Sequence, residues 1–251
     1  LRNTIVALNY ATSSYADIYG ALSSNSANNL IGFDPKFVVG PVFDADGKLT
    51  NADSLDLRLT AESWAIDRGD NSFISGVSTD MAGNARVKRS WASTATVDIG
   101  PYEYQSTLTK TPETPSLVVT TSSDVVNDTD GVVSLREAIL YAERNANLGS
   151  TITFAPSLKG ETITLTSGEL LIFKGVKIDA SSLYTASTQT PGITIDANQK
   201  SRVFYASGGT TDAPVALIGL KITGGKAYSG GGVYAFSGTT TLTNCAISGN
   251  K

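Results

Sequence analysis

The stretch "VVNDTDGVVSLRE" at Val125–Glu137 comes nearest to a metal site. Counting Val126 as the first position of a twelve-residue calcium loop puts Asp128, Asp130, Gly131 and Glu137 third, fifth, sixth and twelfth. Those are places where such a loop supplies carboxylates, its turn glycine and its bidentate Glu. The first ligand is missing, and no incoming helix precedes the stretch. Glu137 also has a competing use, because Ser134 and Glu137 form the S-x-x-E capping box of a helix. Asp128, Asp130 and Glu137 are therefore calcium candidates, set against a plainer reading in which acidic residues favour the positive end of a helix. No other cofactor is expected.

A second constellation is made by Asp179 and Asp196, which close the similar strands "VKIDA" and "ITIDA". On successive coils of a solenoid, two such carboxylates would suit a polysaccharide lyase that holds calcium, with Arg202, Lys174 or Lys177 as base or charge stabiliser. An Asp after a strand is also an ordinary turn residue, and this is the preferred reading. Tyr228, Tyr234 and Phe236 in "YSGGGVYAF" offer either a sugar-stacking surface or ordinary strand packing.

Composition narrows the classes. Among 251 residues there is no His, which excludes a His-based triad and the commonest zinc chemistries. Charged residues make up 17% and the net charge is −4, so no nucleic-acid partner is expected. The single Cys245 can form no internal disulfide and reads as a buried thiol. No apolar run of membrane-spanning length and no signal peptide is present, so no membrane contact is expected in this segment.

The elements that must position these residues are strands. "LRNTIVALN" at Leu1–Asn9 and "LTNCAISGN" at Leu242–Asn250 share the frame L-x-N-[TC]-x-[VI]-x-x-N. "LIGLKITGG" at Leu217–Gly225 keeps the apolar positions and puts Gly at both Asn positions, 242 − 217 = 25 residues earlier. Alternating apolar residues give short strands with one inward face, and such units bury that face only by stacking on copies of themselves. The expected fold is an all-β parallel β-helix, and the family resemblance given below implies that it is right-handed. Asn3, Asn9, Asn244 and Asn250 are expected to form amide ladders at the coil corners.

The frame at both ends implies two partial modules. Residues 1–104 read as the last coil and C-terminal cap of a first β-helix, with Leu1–Asn9 as its final strand and Asp46-Gly47 marking a hairpin inside the cap. Residues 105–116, "QSTLTKTPETPS", read as a linker. Residues 117–251 open with the one convincing helix, in which Leu135, Ala138, Ile139, Ala142 and Ala146 recur at helical spacing and Gly149 supplies a stop. That helix would cap the first coils of a second β-helix. The chain reads as a slice of something longer.

Five stretches resemble known families. "DSLDLRLTAESWAIDRGD", "DMAGNARV" and "VDIGPYEYQ" resemble the closing segment of bacterial right-handed parallel β-helix proteins of the choice-of-anchor Q kind. "VSLREAI" at Val133–Ile139 resembles the CSLREA opening motif, with Val133 where the motif has Cys; Trp64 stands where the closing segment usually has Pro. "GGGVYAFSGTTTLTNCAISGN" resembles repeats of the chlamydial polymorphic outer membrane protein family. The resemblance implies a large exported protein, extracellular or on the bacterial cell surface, used as an adhesin-like structural module with a carbohydrate or host-surface partner. The alternative is a carbohydrate-active β-helix enzyme of the polysaccharide-lyase type. Arg68–Asp70 spells the integrin-binding tripeptide RGD, which here reads as part of the closing turn.

Overall fold

A computed structural model describes residues 1–9, 22–23, 26–88, 95–105, 114–127, 129–144 and 150–251. The chain is mostly β, with parallel sheets wound into a β-helix. It divides into two compact units, Leu1–Thr109 and Lys110–Lys251. Residues 106–113, most of the expected linker, lie outside the described residues.

In the first unit, β1 (Ile5–Val6) pairs in parallel with β2 (Leu30–Ile31), Ile5 against Leu30 and Val6 against Ile31. The repeat of 25 residues thus recurs immediately, and Leu1–Asn9 is not the final strand. Its continuation, "ANNLI", is shorter and more polar than the frame. It keeps the corner Asn, with Asn3 at φ 47° and Asn28 at φ 53°. Antiparallel β3 (Phe37–Val39) and β4 (Asp56–Leu59) follow, and inside their connection the expected tight turn forms, with Asp44 Oδ1 accepting from Asp46 N (3.0 Å) and Lys48 N (2.9 Å).

The rest of the closing segment folds back onto the coil. Asn3 Nδ2 donates to Asp70 O (3.0 Å), Asp70 N donates to Asn3 Oδ1 (2.9 Å), and Asn28 Nδ2 donates to Arg68 O (3.0 Å). Gly69 is required by this approach, because a Cβ there would lie 2.6 Å from Val97 Cγ1 and 2.7 Å from Val97 O. Gly100, at φ +106°, brings its N–H to Asn3 O, and its own Cβ would meet Ile5 Cδ1 at 2.8 Å.

The second unit begins with β5 (Val118–Val119) and α1 (Leu135–Arg144). The capping box forms: Ser134 Oγ accepts from Glu137 N (3.1 Å) and Ser134 N donates to Glu137 Oε2 (2.8 Å). Leu135, Ala138, Ile139 and Ala142 are buried as α1 packs against β5, β6 and β8; Ala146 and Gly149 lie outside the described residues. Three coils follow: β6 (Thr151–Phe154), β7 (Thr162–Thr164) and β8 (Leu170–Ile172); β9 (Lys177–Asp179), β10 (Ile193–Asp196) and β11 (Phe204–Ser207); β12 (Val215–Ile218), β13 (Leu220–Thr223) and β14 (Val233–Ser237). A further coil starts with β15 (Thr240–Thr243) and β16 (Ala246–Ile247).

These strands stack into three parallel sheets, β5-β6-β9-β12-β15, β7-β10-β13-β16 and β8-β11-β14. The inward ladders are Ile152–Ile178–Leu217–Leu242, Ile163–Ile195–Ile222–Ile247 and Leu170–Phe204–Val233, buried except at Leu242 and Ile247, which are exposed, and Val233, which is half-buried. Each fully buried Ile, Leu or Phe contributes about 1.5–3 kcal/mol. The frame copies at Leu217 and Leu242 stand in the register that their spacing demands.

The corner between the first two sheets is a single residue, Gly219 (φ 70°), between β12 and β13, and the following coil turns at Asn244 (φ 52°). Left-handed backbone at that position explains why the frame alternates Asn with Gly. One coil before Gly219, the same corner is opened out into Ala180–Gly192. At Asn244 and Asn250 no amide ladder can form, since their coil neighbours are Gly219 and Gly225. Asn250 instead bonds to backbone of the coil beneath, Oδ1 accepting from Gly225 N (2.8 Å) and Nδ2 donating to Ile222 O (3.0 Å).

Candidate ligand-binding surface

Strand alternation sets the outward face of the third sheet. Phe204 and Ala206 point inward and are buried, which turns Tyr205 outward, in register with Leu171 below and Tyr234 above. The register shifts between β11 and β14, where Ala206 pairs with Ala235 but Ser207 pairs with Ser237. This bulge adds Phe236 to the outer side. The ring of Tyr205 lies 5.9 Å from Phe173, 5.7 Å from Tyr234 and 6.0 Å from Phe236, the last nearly parallel at 24°. These are attractive separations for aromatic pairs.

Arg202 fixes one margin of the cluster. Its guanidinium sits 4.8 Å from the Tyr234 ring centroid and 5.7 Å from that of Tyr205, inside cation–π range. It pairs with Glu169 Oε2 (2.5 Å) and donates to Ser229 O (2.9 Å) and Gly230 O (3.1 Å). Burial pushes the Tyr205 phenol above its ordinary pKa, while Phe236 remains 62% exposed. Ser207 Oγ and Ser237 Oγ lie 3.0 Å apart on the exposed side. The result is a ring surface edged by hydroxyls, with its one cation neutralised by Glu169.

The other nominated residues have different duties. Glu137 Oε1 accepts from Asn127 N (2.6 Å) and Oε2 serves the capping box. Asp130 is exposed and closes its own turn by accepting from Val132 N (3.0 Å), and Asp128 lies outside the described residues. Among the described residues no group of three or more Cys, Asp or Glu could hold a metal ion.

Asp179 and Asp196 do not stack. Asp179 ends β9 beside Ile218 in the first sheet, while Asp196 ends β10 beside Thr223 in the second, because they close successive strands of one coil. Asp179 takes Lys177 (2.8 Å) and Ser181 N (2.9 Å), and Asp196 takes Asn198 N (2.8 Å). Lys174 Nζ donates to Glu143 O. Within RGD, Arg68 stacks 3.7 Å over the Trp64 ring, Gly69 is buried, and Asp70 Oδ1 accepts from Ser72 N (2.8 Å). Tyr228 is fully exposed, and Cys245 is half-buried with Sγ 3.3 Å from Leu217 O.

Sequence reasoning missed Phe173, Tyr205, Arg202 in its stacking role, and Glu169. The available signal was register: Tyr205 and Tyr234 occupy the same place in "RVFYA" and "GGVYA". Comparison with protein-family models, with curated proteins and with solved structures returned no significant match. No described helix is long and apolar enough to cross a membrane.

Proposed function

We propose that this chain is an adhesin-like β-helix module of a large exported bacterial surface protein, and that it engages carbohydrate through the outward ring surface of the third sheet. The observation that carries this reading is the aromatic cluster of Phe173, Tyr205, Tyr234 and Phe236, raised on three consecutive coils and open at Phe236. Flat rings beside hydroxyls suit the apolar faces and polar rims of sugar rings, and the neutralised Arg202 favours an uncharged glycan over a uronate. The lyase reading loses support because Asp179, Asp196, Lys174, Lys177 and Arg202 are each committed to local structural bonds.

The test is retention of the whole chain on immobilised neutral and acidic polysaccharides, followed by titration of the best binder. Tyr234→Ala and Phe236→Ala should each weaken binding by roughly two- to tenfold without shifting the unfolding midpoint much. Retention unchanged in both variants, or no retention on any glycan, would overturn the assignment of this face.

A further inference from the structure

The bulge that adds Phe236 to the third sheet also fixes where two serines meet. Ala206 pairs with Ala235 but Ser207 pairs with Ser237, so the extra residue, Phe236, stands immediately before Ser237. The two serine hydroxyls are 3.0 Å apart, a hydrogen-bond distance, and Ser237 is exposed. Tyr205 lies two residues before Ser207 on the same outward row, and its phenol bonds the Ser207 side chain. Tyr205 is only 8% exposed, among the rings of Phe173, Tyr234 and Phe236. Three hydroxyls therefore form a chain that starts inside the ring cluster and ends at solvent.

Three hydroxyls carry three protons, and the two bonds between them use two. A phenol is a stronger acid than an alcohol and the better donor, so Tyr205 donates to Ser207 and Ser207 donates to Ser237. The third proton is then left on Ser237 for a ligand. Each donation polarises the next, which makes Ser237 a stronger donor than a lone serine. Ser237 also keeps a lone pair, so it serves a partner that is donor and acceptor at once. The cations nearby are committed elsewhere, Arg202 to Glu169 and the carbonyls of Ser229 and Gly230, Lys174 to the Glu143 carbonyl.

We propose that Ser237 is the specificity-determining residue of the ring surface: a neutral pyranoside lays one apolar face on Phe236, and Ser237 takes a single ring hydroxyl at the edge of that face. This rests on the carbohydrate reading of the same face and narrows it. A bare ring accepts any sugar with a free C–H face, whereas a fixed hydroxyl beside the ring selects by the position of one sugar hydroxyl. A hydroxyl matches Ser237 in being both donor and acceptor. A carboxylate would accept the one proton but set its charge against the remaining lone pair, with no free cation to balance it.

The test uses the whole chain and three probes, the methyl glycosides of β-galactose, β-glucose and α-mannose, titrated by ligand-observed NMR. The monodeoxy derivatives of the best binder follow. In the native protein one derivative should bind roughly two- to tenfold more weakly than its parent, the range for loss of one neutral hydrogen bond, while the others bind nearly as well. Ser237→Ala should weaken the parent by a similar factor and leave that one derivative unaffected, so that the two losses do not add. Tyr205→Phe keeps the ring and removes only the start of the hydroxyl chain. It should weaken the parent by a smaller factor and again spare the derivative.

Losses that add in full, or a native protein that does not distinguish the monodeoxy derivatives, would overturn the role of Ser237. If Phe236→Ala still weakens binding in that case, the ring surface stands without its selector. Failure of all three glycosides to bind would also overturn the inference, and the carbohydrate reading itself falls only if no polysaccharide is retained either. Because Ser237 is exposed, Ser237→Ala should keep its unfolding midpoint, which separates lost recognition from lost folding.

Discussion

The segment that folds back on the first unit's coil and the segment around α1 are each tied by a buried Arg–carboxylate pair, but the two pairs are built differently. In the opening cap, Arg136 meets one buried carboxylate: Nε and Nη2 bond Asp124 Oδ1 and Oδ2, both at 2.8 Å, and the remaining donors take Gly168 O (2.7 Å) and Glu169 O (3.1 Å). Asp124 in turn accepts from Thr166 N (2.7 Å). In the closing segment of the first unit, Arg86 Nη1 meets Glu103 Oε2 (2.8 Å), and its Nη2 takes the carbonyls of Asp98 and Gly100. One arginine is held by a carboxylate through two parallel bonds, the other by a single carboxylate oxygen and backbone carbonyls, so the first fixes its partner's orientation more tightly. Helix α1 also supplies an apolar face, while the closing cap is irregular and leans on backbone bonds to Asn3 and Asn28.

The largest expected effect breaks the balanced side. Arg136→Ala should cost about 3–5 kcal/mol in denaturant unfolding of the second unit, because it strands Asp124 in a buried site. The double variant Arg136→Met with Asp124→Asn should recover much of that loss. Next, Ile139→Ala should cost about 2–4 kcal/mol by opening a cavity between α1 and the first coil, measured the same way. An unchanged midpoint would mean that the helix face does not carry the cap.

On the irregular side, Gly100→Ala should cost about 1–3 kcal/mol, read as a lowered unfolding midpoint of the first unit. The added Cβ collides with Ile5 Cδ1 and the backbone is left-handed. Asn250→Ala should cost only about 1 kcal/mol, the net worth of its inter-coil bonds. The smallest effect is expected from calcium. Exchanging chelator for millimolar calcium should barely move the melt of the chain, since the Glu137 oxygens are already engaged. An upward shift abolished by Asp130→Asn would identify a structural calcium at the opening cap.

Much of this architecture was legible because its causes are local and periodic. The 25-residue frame encodes strand register directly, so the Leu217–Leu242 and Ile222–Ile247 pairings follow from counting. The capping box is legible for the same reason, as Ser134 and Glu137 lie within one helical turn. Long-range polar partnerships are not: Arg136 finds Asp124 and the Gly168 carbonyl, and Arg86 finds Glu103, through the path of the chain. The false stacking of Asp179 on Asp196 has the same origin. Their similar strands fall on different sides of one coil because the corner between them is long. The ring surface lay between these extremes, readable in the YA repeat but completed by a bulge that no pattern announces.

That long corner has an engineering consequence. At one position around the helix, the chain accommodates either a lone glycine or the excursion Ala180–Gly192, and the ladders on either side keep their register. Length there is decoupled from winding. What protrudes at this vertex can therefore change while the coils keep their winding, and a foreign epitope spliced between the exposed Ala186 and Thr190, outside the buried Leu183, should be displayed without rethreading the coils beneath it.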